Sequence, residues 1–158
     1  MSFFDAHYGR MTRLAGLVCH DAASAEDAVQ SAMEQAWRRR SSLRDINQLH
    51  RWLDRIVVRE AIRLNRRSPQ RRGVHALTDE RAGRLHDPRT VVGPARLALD
   101  AAFALLSVEQ RAAIVLHLHF GYTVPETARL MSASVETTRS RLRLARQRLR
   151  GELREDSP

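Results

Sequence analysis

The amino-acid sequence predicts an all-α protein with two small helical domains joined by a flexible linker. Apolar residues recur every three or four positions in each periodic segment, and strict apolar–polar alternation never runs long enough for a strand. Residues 68–94 lose this period and contain three prolines and three glycines, as expected of a linker. We therefore assign residues 1–67 to a three-helix domain and residues 95–158 to a four-helix domain.

Two helices open the first domain. We expect Ser24 to cap the second of them, because Asp27 stands three residues later, where a capping box has its acidic residue. The first helix, over about 2–19, should bury one stripe of side chains: Phe4, Tyr8, Met11, Ala15 and Val18. The second helix repeats apolar residues at helical spacing: Ala25, Ala28, Val29, Ala32, Met33, Ala36 and Trp37.

A third helix, over about 46–66, has an apolar inner face and a positively charged outer face. The inner face consists of Leu49, Trp52, Leu53, Ile56, Val57 and Leu64. The outer face has an arginine at every fourth position, a set that we call the arginine ridge: Arg51, Arg55, Arg59 and Arg63. Like charges at this spacing destabilise an isolated helix, so the ridge predicts a bound polyanion such as a phosphate backbone.

Four helices are expected in the second domain, over about 95–106, 108–119, 124–131 and 135–151. Three of them begin with a capping signal: Ser107 with Gln110, Thr123 with Glu126, and Ser134 alone. Gly121 follows a helix end, where a left-handed residue is common.

The last two of these helices predict a helix-turn-helix, because the turn between them, residues 131–134, has the required length. Val135, Thr138, Leu142, Ala145 and Leu149 should face the core. In a major groove, the residues at the opposite side would meet base edges and phosphates: Ser134, Glu136, Thr137, Arg139, Ser140 and Arg143. An ordinary αα-hairpin with a solvated arginine face is the alternative.

The charge distribution also points to a polyanion. All 27 basic residues are arginine, and the net charge is +9. Residues 38–72 carry +9 and residues 131–158 carry +3, whereas residues 1–37 carry −3. Arginine binds phosphates bidentately, so the two basic blocks favour nucleic acid as the ligand. A GC-rich genome would explain the absence of lysine without any function, but not the net charge.

The sequence argues against several other classes of protein. No apolar run approaches a membrane span, and the N-terminus lacks the features of a signal peptide, which predicts a cytoplasmic protein without membrane insertion. Cys19 is the sole cysteine, which excludes an internal disulfide. His117 and His119 are two residues apart and would face different sides of a helix. We therefore expect no catalytic residue, metal or cofactor.

The motifs of the first domain resemble conserved region 2 of a known family. They are residues 24–30 (SAEDAVQ), 36–38 (AWR), 52–56 (WLDRI) and the basic end of the third helix, 63–67. In this order they are similar to the extracytoplasmic-function (ECF) group of bacterial RNA polymerase sigma factors.

The second domain is similar to region 4 of the same family. The matching segments are 106–111 (LSVEQR), 121–123 (GYT), 126–128 (ETA), 137–142 (TTRSRL) and 145–146 (AR). Two motif sets on either side of a linker cover nearly the whole chain. The resemblance implies a protein that binds core RNA polymerase and recognises and opens promoter DNA.

The resemblance also implies partners and contact residues. Core RNA polymerase would be contacted at its clamp coiled coil and its flap. The clamp would bind the acidic face of the second helix, which consists of Glu26, Asp27, Gln30 and Glu34. The resemblance leaves open whether an anti-sigma factor binds the chain.

The third helix and the loop before it match the family's -10 element contacts, which include a pocket for a flipped base. The implied contacts are Asn47, Arg51, Arg55, Arg59, Arg63, Arg66 and Arg67. Trp52 could join them, although its spacing with Leu49 and Ile56 favours the core. The last helix would contact the -35 element.

The sequence departs from the family at four positions. Arg59 and Arg63 stand where Asn and Asp are usual, Ser132 replaces a common turn glycine, and Thr138 replaces a common valine. A helix-turn-helix regulator that acts without polymerase is the alternative function. Such a regulator would need neither the acidic face nor the arginine ridge.

Overall fold

The computed structural model describes residues 5–67 and 94–155, and within these ranges the regular structure is entirely helical. The predicted linker, apart from Pro94, lies outside the described residues, as does Phe4. The helices are α1 (Asp5–Val18), α2 (Ala22–Arg38), α3 (Leu49–Arg67), α4 (Pro94–Ala104), α5 (Val108–Ile114), α6 (Val124–Met131) and α7 (Val135–Glu155). The all-α prediction and the three-plus-four arrangement of helices are confirmed.

The first domain packs α1, α2 and α3 against one another around a core in which α3 touches both other helices. The prediction that Tyr8 and Trp37 lie in the core is wrong. Tyr8 is 51% exposed, because the buried stripe of α1 runs through Met11, Leu14, Ala15 and Val18. Trp37 is 58% exposed at the end of α2, where the Arg40 guanidinium lies 4.3 Å from the centre of its ring.

The start of α2 differs from the prediction by three residues. Asp21 is the N-cap, and its Oδ1 accepts a 2.8 Å hydrogen bond from the Ser24 backbone N–H. The Ser24 hydroxyl donates to Asp21 Oδ2 at 2.8 Å and is buried inside the first turn. The predicted capping box of Ser24 and Asp27 is therefore wrong. Aspartate is an equally good N-cap, so the sequence offered two starts and the earlier one forms.

The third helix begins at Leu49, later than predicted, because a 3-10 turn (Ile46–Gln48) precedes it. Asp45 caps this turn by accepting the Asn47 backbone N–H at 2.9 Å. Trp52 is 9% exposed and packs in the core, so the core interpretation of this residue is confirmed.

The helix caps predicted for the second domain are confirmed. Ser107 with Gln110 and Thr123 with Glu126 both form complete capping boxes. A π-helical turn (Val115–His119) continues α5, and Gly121, whose φ is +75°, follows two residues after its end. Only glycine adopts this left-handed conformation without a steric cost, and here it reverses the chain before α6.

The two domains pack against each other through a buried carboxylate. Asp54 of α3 is fully buried, and Arg10 of α1 binds it bidentately, with Nε 3.0 Å from Oδ1 and Nη2 2.6 Å from Oδ2. From the second domain, the Tyr122 hydroxyl donates to Asp54 Oδ2 at 2.6 Å. Burial and the adjacent Asp54 carboxylate raise the pKa of Tyr122.

A second contact joins the domains through the Arg111 guanidinium. Arg111 of α5 donates from Nε and Nη2 to the Leu17 carbonyl, each at 3.1 Å, and its Nη1 lies 3.0 Å from His20 Nδ1. Burial lowers the pKa of Arg111 to about 10. These bonds satisfy a carbonyl in the last turn of α1, which has no partner within its own helix.

None of the described helices combines the length and the apolar character that a membrane crossing requires.

We expect Tyr122→Phe to destabilise the chain by about 1.5–3 kcal/mol, since it removes a hydrogen bond to a buried charged group. Urea unfolding followed by circular dichroism measures this loss. Tyr8→Phe is the control, because the Tyr8 side chain is half-exposed, and it should change the free energy of unfolding by less than about 0.5 kcal/mol.

The pH dependence of the free energy of unfolding provides a second test of the Tyr122 hydrogen bond. Because folding raises the pKa of Tyr122, its stabilising contribution is fully present below the unfolded value of about 10 and is lost as pH rises through the folded value. The parent should therefore lose stability above about pH 10 more steeply than Tyr122→Phe. Equal slopes of the free energy of unfolding against pH for the two proteins would contradict this account of the Tyr122–Asp54 hydrogen bond.

Candidate nucleic-acid interface

The acidic face of α2 is turned away from the core. Its four residues are exposed, and within the described part of the chain none of them forms an ion pair: Glu26, Asp27, Gln30 and Glu34. Two other residues of α2, Ser31 and Gln35, donate to the Glu60 carboxylate of α3. The acidic face is therefore free to meet another molecule.

The arginine ridge is largely engaged by groups of the protein itself. Arg51 Nη2 lies 2.9 Å from Glu126 Oε1 of α6, and Arg63 forms an ion pair with Glu60. Arg59 donates to two backbone carbonyls of the second domain. Arg55 is exposed and makes no hydrogen bond or ion pair within the described residues. Two members of the ridge thus have a carboxylate partner and a third has carbonyl acceptors, so the fold itself stabilises part of the ridge, and phosphate binding by the ridge stays a prediction.

Arg59 caps the C-terminal end of α6. Its Nη2 is 3.1 Å from the Arg129 carbonyl and its Nε is 3.2 Å from the Leu130 carbonyl. Carbonyls in the last turn have no partner within the helix and carry the negative end of its dipole, so a cation stabilises them. Burial and the nearby Arg55 and Arg39 lower the pKa of Arg59, which indicates a surplus of positive charge around it.

Arg63 has a structural partner that the sequence analysis missed. Glu60 is 4% exposed and accepts hydrogen bonds from Ser31 at 2.7 Å, from Gln35, and from Arg63 Nε at 3.0 Å. Burial opposes ionisation of Glu60, but these donors outweigh it and lower the pKa of the carboxyl. The i, i+3 spacing of Glu60 and Arg63 was the available signal.

The remaining predicted contacts of the first domain lie at both ends of α3. Asn47 is exposed in the 3-10 turn before the helix, and Arg67 is exposed at its last residue. Arg66 Nε lies 3.0 Å from Glu109 Oε1 of α5, so it too contacts the second domain. The predicted -10 contacts therefore extend along one side of α3, and α5 and α6 cover part of this side.

A cavity of about 370 Å³ lies where α3 meets α6. Trp52 and Arg55 line it from the first domain, and Tyr122 and Glu126 line it from the second. The loop before α3 closes one side through residues 42–45 and 48. This cavity is therefore bounded by both domains.

The helix-turn-helix forms as predicted. Between α6 and α7, Ser132 adopts the left-handed conformation, with φ 54° and ψ 42°. The Ala133 N–H donates to the Ala128 carbonyl at 2.9 Å, which satisfies one of the last carbonyls of α6. Serine thus makes the turn in place of the common glycine, at the cost of a Cβ in a left-handed position.

The second helix of the motif presents its predicted outer face to solvent. Five of the predicted contact residues are exposed on α7: Glu136, Thr137, Arg139, Ser140 and Arg143. The sixth, Ser134, caps α7 by accepting the Thr137 backbone N–H at 3.0 Å. Thr138 is fully buried, and its hydroxyl donates to the Ser134 carbonyl at 2.9 Å, which explains how a threonine replaces the common valine.

The chain matches two family models, one in each domain. Residues 3–72 match Sigma-70 region 2, and residues 96–149 match Sigma-70, region 4. The second match includes α6, the turn and α7 as far as Leu149. It excludes the reading of this segment as an ordinary αα-hairpin.

Two relatives decide the family. The chain is 33% identical over 151 residues to the ECF RNA polymerase sigma factor SigM of Mycobacterium tuberculosis, covering 92% of this chain and 72% of SigM. It belongs to the ECF sigma factors. A further relative is SigL of the same organism, 32% identical over 157 residues, with coverage of 98% and 88%.

Solved structures agree with the fold of this sigma factor. The sigma factor RpoE from Bartonella quintana, in complex with the anti-sigma factor NepR, gives a TM-score of 0.72 at 23% identity over 97% of this chain and 95% of that one. CnrH, in complex with the cytosolic domain of CnrY, gives 0.60 at 24% identity over 98% and 86%.

Membership in this group establishes the function at the level of the whole protein. The chain is a sigma factor that works with core RNA polymerase and promoter DNA in transcription initiation. The alternative of a regulator that acts without polymerase is not favoured, because that function would leave the match to region 2 unexplained.

Proposed function

We propose that this sigma factor docks on the clamp coiled coil of core RNA polymerase through the acidic face of α2. The observation that carries the proposal is the exposure of Glu26, Asp27 and Glu34 without an ion pair in the described residues. This face lies in the one segment with a negative net charge, residues 1–37, of a protein that carries +9. A contact between the second domain and the flap belongs to the same proposal.

The first domain, residues 1–67, would bind the -10 element along α3. Arg55 and Arg67 are exposed and have no acceptor within the described residues, so both are available to phosphates. Arg51 and Arg59 must first leave Glu126 and the α6 carbonyls. Full engagement of promoter DNA by this domain therefore requires α6 to move away from α3.

The second domain, residues 95–158, would bind the -35 element as duplex DNA. Arg139, Ser140 and Arg143 are exposed on α7, and the buried Thr138, Leu142 and Ala145 fix the rotation of that helix. In contrast with the arginine ridge, this face is open while the domains are packed together.

The remaining proposals concern regulation and location. An anti-sigma factor is a candidate partner of this chain, since RpoE, which shares the fold, was solved in complex with the anti-sigma factor NepR. We also infer that this sigma factor acts in the cytoplasm, where its polymerase is found, and that it acts by binding without catalysing a reaction itself.

Charge reversal tests the docking surface. Asp27→Lys with Glu34→Lys should weaken binding to core RNA polymerase about tenfold or more, because both carboxylates would meet a basic partner. Helicity measured by circular dichroism should stay unchanged, since both side chains are outside the buried stripe of α2. Fluorescence anisotropy with labelled sigma factor measures the affinity.

Arg13→Glu is the control for a general effect of net charge. Arg13 is exposed on α1 in the same domain, and its reversal adds negative charge away from α2. If docking depends on the acidic face, this variant binds like the parent. Unchanged affinity in the double reversal would refute the docking surface.

The salt dependence of open-complex formation tests the arginine ridge. Arg55→Ala should reduce the slope of the log equilibrium constant for open-complex formation against log salt concentration by roughly 0.7–0.9, the value expected for one lost phosphate contact. Arg55 suits this test because its removal breaks no hydrogen bond or ion pair in the described residues. Arg13→Ala, which removes an exposed arginine from α1, should keep the parent slope; an equal slope for Arg55→Ala would show that Arg55 only faces solvent.

Substitution at Arg139 tests the -35 contact. If Arg139 binds a base edge, Arg139→Ala should cost about 1–3 kcal/mol at one promoter position and relax the preference there. Arg139→Lys keeps the charge but loses the bidentate geometry, so it should not restore the preference. Binding to a set of single-base promoter variants measures both effects. A loss that is uniform across the set and restored by lysine would indicate a phosphate contact, and no loss would count against α7 as the DNA-contacting helix.

A further inference from the structure

A second cavity, of about 410 Å³, lies between the C-terminal half of α3 and the helix-turn-helix turn. We call it the interdomain cleft. Arginines converge on it from both domains: Arg59, Arg63, Arg66 and Arg67 from α3, and Arg141 from α7. Its volume falls in the range of sites that hold small molecules.

Positive charge in the interdomain cleft exceeds the negative charge around it. Arg63 is paired with Glu60, and Arg66 is paired with Glu109. The acceptors of Arg59 are carbonyls, which carry no formal charge. Arg67 and Arg141 make no hydrogen bond or ion pair within the described residues. Three of the five guanidinium groups thus lack a carboxylate partner there.

The other lining residues suit an organic anion. Ser132 lies at the rim in the exposed turn, and its hydroxyl makes no hydrogen bond within the described residues, so it is available as a donor. Ile62 and Met131 are buried and line the interior with apolar surface. A ligand with a charged end and an apolar part would use both kinds of surface.

We propose that the interdomain cleft binds a small molecule that carries at least two phosphoryl charges. Planar guanidinium groups bind phosphate oxygens in pairs, and charge-assisted hydrogen bonds of this kind are about twice as strong as neutral ones. Arg67 comes from one domain and Arg141 from the other, so the complete site exists only while the domains are packed together. The ligand therefore stabilises the packed arrangement.

This binding would oppose the use of the arginine ridge by DNA. Arg59 and Arg63 belong both to the ridge and to the cleft. Duplex DNA is too wide to enter a cavity of this volume unless α6 and α7 move away from α3. A small anion that fills the cleft and a promoter that needs the ridge are therefore competitors, and each lowers the affinity for the other.

Isothermal titration calorimetry of the full chain with inorganic triphosphate tests the site. We expect one ligand per chain. Both Arg67→Ala and Arg141→Ala should weaken binding about tenfold, since each removes a charge-assisted bond from one side of the cleft. Arg146→Ala is the matched control, because Arg146 is exposed on α7 and does not line the cleft. It should bind like the parent.

Three results would overturn the proposal. A loss with Arg146→Ala equal to that with Arg141→Ala would mean general attraction to a basic protein. A loss with only one of Arg67→Ala and Arg141→Ala would mean that a single domain holds the anion. Equal affinity for hexaglutamate would mean that the cleft takes acidic peptides instead of phosphates.

Neither polymerase nor DNA enters these titrations, so their outcome is separate from that of the proposed function. Thermal unfolding without ligand should match the parent for all three variants and so excludes misfolding as the cause.

Discussion

The arrangement of the two domains depends on one buried carboxylate. A charge in the protein interior is tolerated only when it is paired and its oxygens accept hydrogen bonds. Asp54 meets this condition with Arg10 from its own domain and Tyr122 from the other, 44 and 68 residues away in sequence. Because Tyr122 lies two residues before the start of α6, its bond to Asp54 brings α6 against α3, and the contacts of Arg51 and Arg59 follow from that position.

The sequence predicted the features that local chemistry determines. Both capping boxes, at Ser107 and Thr123, were found because a cap and its partner stand three residues apart. The start of α2 was misplaced where two caps competed, and Trp37 was assigned to the core because periodicity does not indicate where a neighbouring helix ends. Errors of this kind occur at the ends of elements, where tertiary contacts decide the outcome.

In the candidate sites, too, the sequence predicted what local periodicity determines and missed what tertiary contacts determine. Exposure of Arg139 and Arg143 followed from the period of α7, which its own buried stripe fixes. The partners of the arginine ridge could not be predicted, because the acceptors of Arg59 are backbone carbonyls 70 and 71 residues away. Any residue offers a backbone carbonyl, so no sequence pattern marks this contact.

The contacts between the domains differ in strength, and this difference bears on how the ridge is released. The Arg51 and Arg66 side chains are 48% and 60% exposed, and ion pairs at such sites contribute about 1 kcal/mol or less. The stronger contacts are those of the buried Asp54 and of Arg111, which donates two hydrogen bonds to the Leu17 carbonyl. Arg10 belongs to the same domain as Asp54, so their ion pair does not depend on the second domain, whereas the contacts of Tyr122 and Arg111 do. Promoter phosphates that replace these weak ion pairs would release counterions, and the free energy gained in this way has to exceed that of the Tyr122 and Arg111 contacts before α6 leaves the ridge.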